Sequence, residues 1–227
     1  MSIRWGILGC GAVCEVKSGP ALQRAAGSEL AVVMRRSADK AADYARRHNV
    51  PKWTDDADAL IHDPDVDAVY VATPPGSHCH DALRVCAAGK PAYVEKPMAR
   101  NHSECRRMVD AFAAADLPLF VAYYRRGLPR FRKVRELLAA GAIGRVTGVA
   151  CRLRRPVFRP EAPALPWRLR AAQSGGGLFL DLGSQTLDIL DVLLGPLQDV
   201  TGTAANLASP YDVEDRVVMH FRTRAGA

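Results

Sequence analysis

The feature that most constrains this chain stands at its start. Residues 3–8, Ile-Arg-Trp-Gly-Ile-Leu, form an apolar run that ends in the turn Gly9-Cys10-Gly11-Ala12-Val13-Cys14, and a helix-compatible stretch follows over about residues 15–26. A second apolar run, Leu30 to Met34, closes a β-α-β unit, and Ser37 stands where it caps a helix reaching about His48. The alternation goes on. A short extended piece near Lys52-Trp53 precedes the helix-like Asp-Asp-Ala-Asp-Ala-Leu-Ile, and Asp63-Pro64-Asp65 breaks that helix before a strand at 68–72. The loop Thr73-Pro74-Pro75-Gly76-Ser77-His78 leads into a helix of about ten residues stopped by Gly89, then strand 91–95, helix 102–115 and strand 117–122. Alternation of this kind implies a doubly wound α/β domain, a parallel sheet covered by helices on both faces.

The pattern changes after Tyr123. An amphipathic helix over about 129–140 is followed by three stretches in strand period, 145–154, 199–208 and 215–224, with one helix at about 178–194 between them. An α+β domain with an open, mostly antiparallel sheet is expected, so the chain divides as 1–123 and 124–227. The segment 156–177, with four prolines and Gly175-Gly176-Gly177, is long enough to suggest function rather than mere connection.

Composition excludes several classes. With 227 residues, 48% hydrophobic and 24% charged, the chain has material for a sizeable core. No apolar run approaches the roughly 18 residues of a membrane span, and the first residues lack the order of a signal peptide, so a cytosolic location is expected. Six cysteines without a CxxC pair argue against zinc and disulfides, and are expected to be small buried hydrophobes; no metal site is expected. The net charge of +7 comes from scattered arginine doublets without the basic-aromatic face of a nucleic-acid binder.

The turn after the first strand is GxGxx with Cys14 in place of a third glycine. Between a strand and a helix it has the context of a dinucleotide fingerprint. Gly9 permits the tight turn, Gly11 lets the backbone approach a pyrophosphate, and the amides that follow, at Ala12 and Val13, lie at a helix N-terminus that favours anions. The second strand ends in Met34-Arg35-Arg36-Ser37, with no acid to bond a ribose. Two guanidiniums and a hydroxyl suit a 2′-phosphate, which predicts NADP over NAD, with NAD possible and a solvated surface the lesser alternative for one or both arginines.

At the ends of the fourth and fifth strands stand Ala72-Thr73-Pro74-Pro75-Gly76-Ser77-His78 and Glu95-Lys96-Pro97, where open α/β sheets bind ligands. With the first-strand GxG and the later Gly175-Gly176-Gly177-Leu178-Phe179-Leu180-Asp181-Leu182-Gly183-Ser184-Gln185, they resemble, in order along the chain, the Gfo/Idh/MocA oxidoreductases. The resemblance implies a Rossmann domain carrying NAD(P), with Thr73, Pro74, His78, Glu95 and Lys96 about the cofactor. It implies a second domain whose sheet covers the nicotinamide and mediates homo-oligomers, and carbohydrate-like, polyol or other cyclic hydroxy or keto substrates.

By position Lys96 is the family's catalytic lysine. A lysine beside a cationic cofactor can exchange a proton with a substrate oxygen as hydride moves, a role closed to arginine. Glu95 would orient it, and Pro97 fixes a turn that the family often holds cis. In the family an aspartate and a histidine four residues later share a helix face and act on the substrate; here they are Asp181 and Gln185, and glutamine has no proton to exchange. Lys96 then works alone, or Tyr123, Tyr124 or His78 supplies the proton, or turnover is lost. Tyr123, Tyr124 and Arg125 follow the sixth strand as candidate substrate contacts, and Trp167-Arg168 resembles a Trp-Arg pair that some family members place beside the cofactor; each equally suits packing or the surface. The alternative function is a nucleotide-binding sensor or assembly protein without turnover. Family members run on through further strands, so a shortened second domain is expected.

Overall fold

The first strand, β1 (Ile3–Leu8), takes its place at the centre of a sheet because its residues 6–8 are buried on both faces. In this computed structural model, residues 2–156 and 165–223 are described. The chain divides into two compact units, Met1–Ala122 and Tyr123–Ala227.

In the first unit β2 (Ser28–Met34), β3 (Lys52–Thr54), β4 (Ala68–Val71), β5 (Ala92–Val94) and β6 (Leu119–Val121) join β1 in a six-stranded sheet of order β3-β2-β1-β4-β5-β6. Every pair is parallel. The connecting helices are α1 (Ala12–Val16), α2 (Ser18–Arg24), α3 (Ala38–His48), α4 (Ala57–Ile61), α5 (Pro75–Ala87) and α6 (His102–Ala114). Strand side chains alternate between faces. Leu8, Val32, Val69 and Val71 pack with Leu60, Ala82, Val85, Met108 and Phe112 on one side. Ile7, Val33 and Tyr70 pack with Cys14 and Tyr44 on the other. Both faces are thereby covered, as a parallel sheet requires.

Two expectations need correction here. The helix expected over 15–26 begins three residues earlier and is broken at Lys17 into α1 and α2. The loop expected at 73–78 is short, because α5 starts at Pro75; proline suits a first helical position, where its missing N–H is not needed.

In the second unit a 3-10 turn at Tyr124–Gly127 leads to α7 (Pro129–Ala139). Another at Trp167–Leu169 precedes α8 (Ala171–Ser174), and a π-helical turn, Phe179–Gly183, runs into α9 (Ser184–Leu194). The strands β7 (Leu197–Ala205) and β8 (Arg216–Thr223) pair antiparallel. The strand expected over 145–154 is absent: that stretch is mostly exposed and joins no ladder among the described residues, and alternation without a partner does not make a strand. Of the proline-rich segment 156–177, residues 157–164 lie outside the described residues, as do the last four of the chain.

Cysteine usage also departs from expectation. Cys10, Cys14 and Cys79 are buried, Cys86 and Cys105 half-buried, and Cys151 exposed, all as free thiols. Burial pushes Cys10 up to about 11 and Cys14 up to about 12, so both stay protonated thiols packed in the core.

Candidate functional site

Parallel registration brings the carboxyl ends of the central strands to one edge. The backbone bonds Ala72 N–H to Leu8 O (2.9 Å), Glu95 N–H to Val71 O (2.9 Å) and Ala122 N–H to Val94 O (2.8 Å) carry the ladder up to that edge. Gly9, Thr73 and Lys96 emerge there within the first unit, and Arg35 follows the end of β2.

The glycine turn is held from beneath. Gly9 and Cys10 N–H both donate to Met34 O at 3.0 Å, and Gly9 has φ of +90°. A Cβ on Gly9 would stand 2.8 Å from the Thr73 methyl, so side chains are excluded by conformation and by space. A Cβ on Gly11 would meet only Gly9 O, at 3.8 Å. The backbone there is open to a bulky group, and the first-turn amides of Ala12 and Val13 have no intrahelical acceptor. This cradle fits a pyrophosphate.

At the end of β2, Arg35 is half-buried and Arg36 exposed. Neither has an ion-pair partner among the described residues, whereas Arg46 and Arg47 pair with Asp43 and Arg84 pairs with Asp58. Ser37 occupies the N-cap position of α3 without a side-chain cap bond, which leaves its hydroxyl outside the helix end.

The His78 ring lies between the loop after β4 and the turn after β5. It is 1% exposed, with Nδ1 2.9 Å from Pro97 O and Nε2 2.6 Å from Thr73 O. Burial lowers its ionisation from the ordinary value, against the opposing pull of the two carbonyls and the Glu95 charge. So enclosed, His78 has no open face toward a substrate. The Thr73 hydroxyl donates to Asp81 at 2.8 Å, and burial raises the Asp81 carboxyl above its usual range. Lys96 and Glu95 are both half-buried, and the Lys96–Pro97 peptide is cis. Glu95 accepts from the Tyr70 hydroxyl and from the Lys96 backbone N–H.

The second unit brings another set of expected residues together. Arg168 stacks its guanidinium 4.2 Å from the centre of the Trp167 ring and lies 3.7 Å from Asp181. Asp181 belongs to the π-helical turn and Gln185 to the first turn of α9, four residues on. Gln185 is 5% exposed, and its Oε1 has no hydrogen-bond partner among the described residues. Such an acceptor costs about 1–3 kcal/mol and calls for a donor. The Gly177 N–H donates to Glu214 Oε2 at 2.7 Å, which pins the glycine run. Tyr123 and Arg125 are half-buried and Tyr124 exposed, and the neighbouring Arg126 binds the buried Asp188 of α9.

Sequence reading missed Tyr70, Asp81, Arg126, Asp188 and Glu214. Tyr70 alone carried a local signal, a hydroxyl in a strand otherwise made of alanine and valine.

A family profile described as "Oxidoreductase family, NAD-binding Rossmann fold" matches residues 3–123, and one described as "GFO/IDH/MocA C-terminal domain" matches residues 131–227. The chain belongs to the Gfo/Idh/MocA oxidoreductase family. Among curated relatives of this Gfo/Idh/MocA protein, "Oxidoreductase P35" of Formosa agariphila is 40% identical over 220 residues, covering 95% of this chain and 68% of the relative. The 1,5-anhydro-D-fructose reductase of Ensifer adhaerens is 33% identical, covering 98% of this chain and 66% of that protein. Of solved structures, a levoglucosan dehydrogenase in complex with NADH and levoglucosan matches at TM-score 0.85 and 26% identity, over 100% of this chain and 65% of the other. A 3-ketoreductase from Actinomadura kijaniata in complex with NADP and TDP-benzene matches at 0.83 and 26%, over 100% and 68%. The chain therefore spans about two thirds of the length of these proteins. Its matches bind either nicotinamide cofactor, so the family supports a nicotinamide dinucleotide without choosing between NAD and NADP. Among the described residues no helix is long and apolar enough to cross a membrane, and no group of metal-ligating side chains gathers.

Proposed function

We propose that this protein is an NADP-preferring oxidoreductase that transfers hydride between nicotinamide and an oxygen-bearing carbon of a sugar-like, polyol or other cyclic hydroxy or keto compound. The observation that carries the reading is the end of β2: two arginines without ion-pair partners among the described residues, beside a glycine turn open to pyrophosphate, in a stretch 34–37 that contains no acid. NADP supplies the hydride acceptor or donor when bound. The Ala12 and Val13 amides hold its pyrophosphate, Arg35, Arg36 and Ser37 its 2′-phosphate, and Thr73 and Pro74 border it. Lys96 Nζ takes the proton of a substrate hydroxyl during oxidation and returns it during reduction. Asp181 and Gln185 are assigned to substrate oxygens, Gln185 by accepting a hydroxyl hydrogen at Oε1, and Tyr123, Tyr124 and Arg125 to further contacts. Trp167 and Arg168 are assigned to the cofactor side. Curated relatives and solved matches named for sugar-like compounds support the substrate class.

The wider reading is a homo-oligomer joined through the β7–β8 sheet, on which Val200 and Val218 are exposed, in a reducing cytosol that suits six free thiols. Fluorescence titration with NADPH and NADH, on wild type and on Arg35→Ala/Arg36→Ala, tests the cofactor. NADPH preference above about tenfold that collapses in the variant supports it, since tenfold is about 1.4 kcal/mol. Equal affinity for both cofactors refutes it.

A second reading, nucleotide binding without turnover, is favoured by Gln185 where the family has a proton-exchanging histidine. It requires a protein that binds NADPH yet turns over no sugar or polyol, either as wild type or as Gln185→His. Turnover by the wild type eliminates it.

A further inference from the structure

Tyr70 stands in β4 among alanine and valine, and none of it reaches solvent. Its ring packs 5.3 Å from that of Tyr93, a role phenylalanine would fill equally well. The hydroxyl is another matter, because a buried donor deprived of water needs an acceptor. That acceptor is Glu95 Oε1, at the first position beyond β5. The other oxygen of the same carboxylate, Oε2, accepts the backbone N–H of Lys96 at 3.1 Å. Burial first, and the Glu95 charge second, push the Tyr70 hydroxyl far above its ordinary range, so it remains a donor at any working pH.

Two donors on two oxygens fix the plane of the carboxylate. One comes from a strand rigidly paired on both sides, β1 and β5. The other is the peptide that leads into Lys96. The direction in which the Lys96 side chain leaves the sheet is therefore referred, through one carboxylate, to a hydroxyl in the core. The buried His78 ring packs on the far side of the same turn, with Nδ1 2.9 Å from Pro97 O, so the Lys96 backbone is enclosed from both ends.

We propose that Tyr70 is a positioning residue for Lys96, acting through Glu95. The proposal rests on the reading of Lys96 as the proton-exchanging group. Its test compares Tyr70→Phe, Glu95→Gln and the double variant by two measurements. The first is the rate at which acetic anhydride acylates Lys96 relative to the other five lysines, followed by peptide mass spectrometry. The second is kcat and KM with NADP(H) and a turned-over polyol.

In Tyr70→Phe the relative acylation of Lys96 is expected to change about threefold or more and kcat to fall about tenfold, with KM for NADP(H) within about twofold of wild type. Glu95→Gln is expected to do the same, and adding Tyr70→Phe to it to change nothing further, because residues acting through one group do not add. Unchanged Lys96 acylation in a folded Tyr70→Phe protein overturns the proposal, as does a further full-sized change in the double variant. If Tyr70→Phe does not fold, Glu95→Gln carries the decision: unaltered Lys96 acylation there also overturns it. Acylation needs no turnover, so a wild type that fails to bind NADP(H) refutes the proposed function separately from this one.

Discussion

Removing Arg126 should expose how the second unit is held together. Its Nε lies 2.8 Å and 3.0 Å from the two oxygens of Asp188, and a second guanidinium nitrogen also contacts that carboxylate. The Asp188 side chain is 4% exposed and that of Arg126 is 54% exposed. In Arg126→Ala a buried carboxylate loses its counter-charge and three donor contacts. Breaking a fully buried pair costs about 3–5 kcal/mol, but water already reaches the outer half of this guanidinium, so about 2 kcal/mol is expected here. That loss lowers the melting temperature by roughly 4–8 °C for a chain of this length. The assay is urea and thermal unfolding of Arg126→Ala, Asp188→Asn and the double variant. Asp188→Asn removes the charge that needs compensation, so the double variant should be more stable than Arg126→Ala alone. An Arg126→Ala protein within about 0.5 kcal/mol of wild type, or a double variant no better than the single, refutes the reasoning.

Three further outcomes follow from the same geometry. Arg47 first, and His48 with it, hold the Glu15 carboxyl down to about 2; the stability this lends is complete above the unfolded value near 4.5 and disappears as pH falls toward 2, so Glu15→Gln should flatten that limb in a series of acid melts. Gly9→Ala forces a Cβ into a positive-φ position against Thr73 and should cost about 1–3 kcal/mol and abolish NADPH binding, measured by melting and fluorescence together. With Cys151 exposed and the other five thiols buried or half-buried, a disulfide reagent should react with one thiol fast and with the others on a slower phase, and Cys151→Ser should remove the fast phase.

The sheet was legible because its central strands are written as apolar runs, and the glycine turn because only a few residue types accept its conformation. Pro74-Pro75-Gly76 misled in a specific way: it has the composition of a loop, yet Pro75 opens α5, since a helix start tolerates what a helix interior rejects. The stretch 145–154 misled in the opposite way, its alternation being real while a strand depends on what lies alongside it. The candidate site divides similarly. Gly9, Arg35 and Lys96 declared themselves by type and place, whereas Arg126 and Asp188 stand 62 residues apart and Gly177 and Glu214 stand 37 apart. Only the folded chain makes these pairs. Asp181 and Gln185 were legible as residues, whereas the π-helical turn that carries Asp181 was not, because nothing in their spacing announces it.

That turn gives the segment before α9 a property of its own. A π-helical turn accommodates one residue more than the α-helical turn it replaces, and each residue of an α-helix accounts for about 100° of rotation. Deleting a single residue within 179–183 would let the whole stretch from Phe179 run as one regular helix. A deletion between Asp181 and Gln185 would cut their separation from four positions to three, which shifts Asp181 round the helix relative to Gln185. The spare residue thus works as a dial on the offset between the carboxylate and the amide.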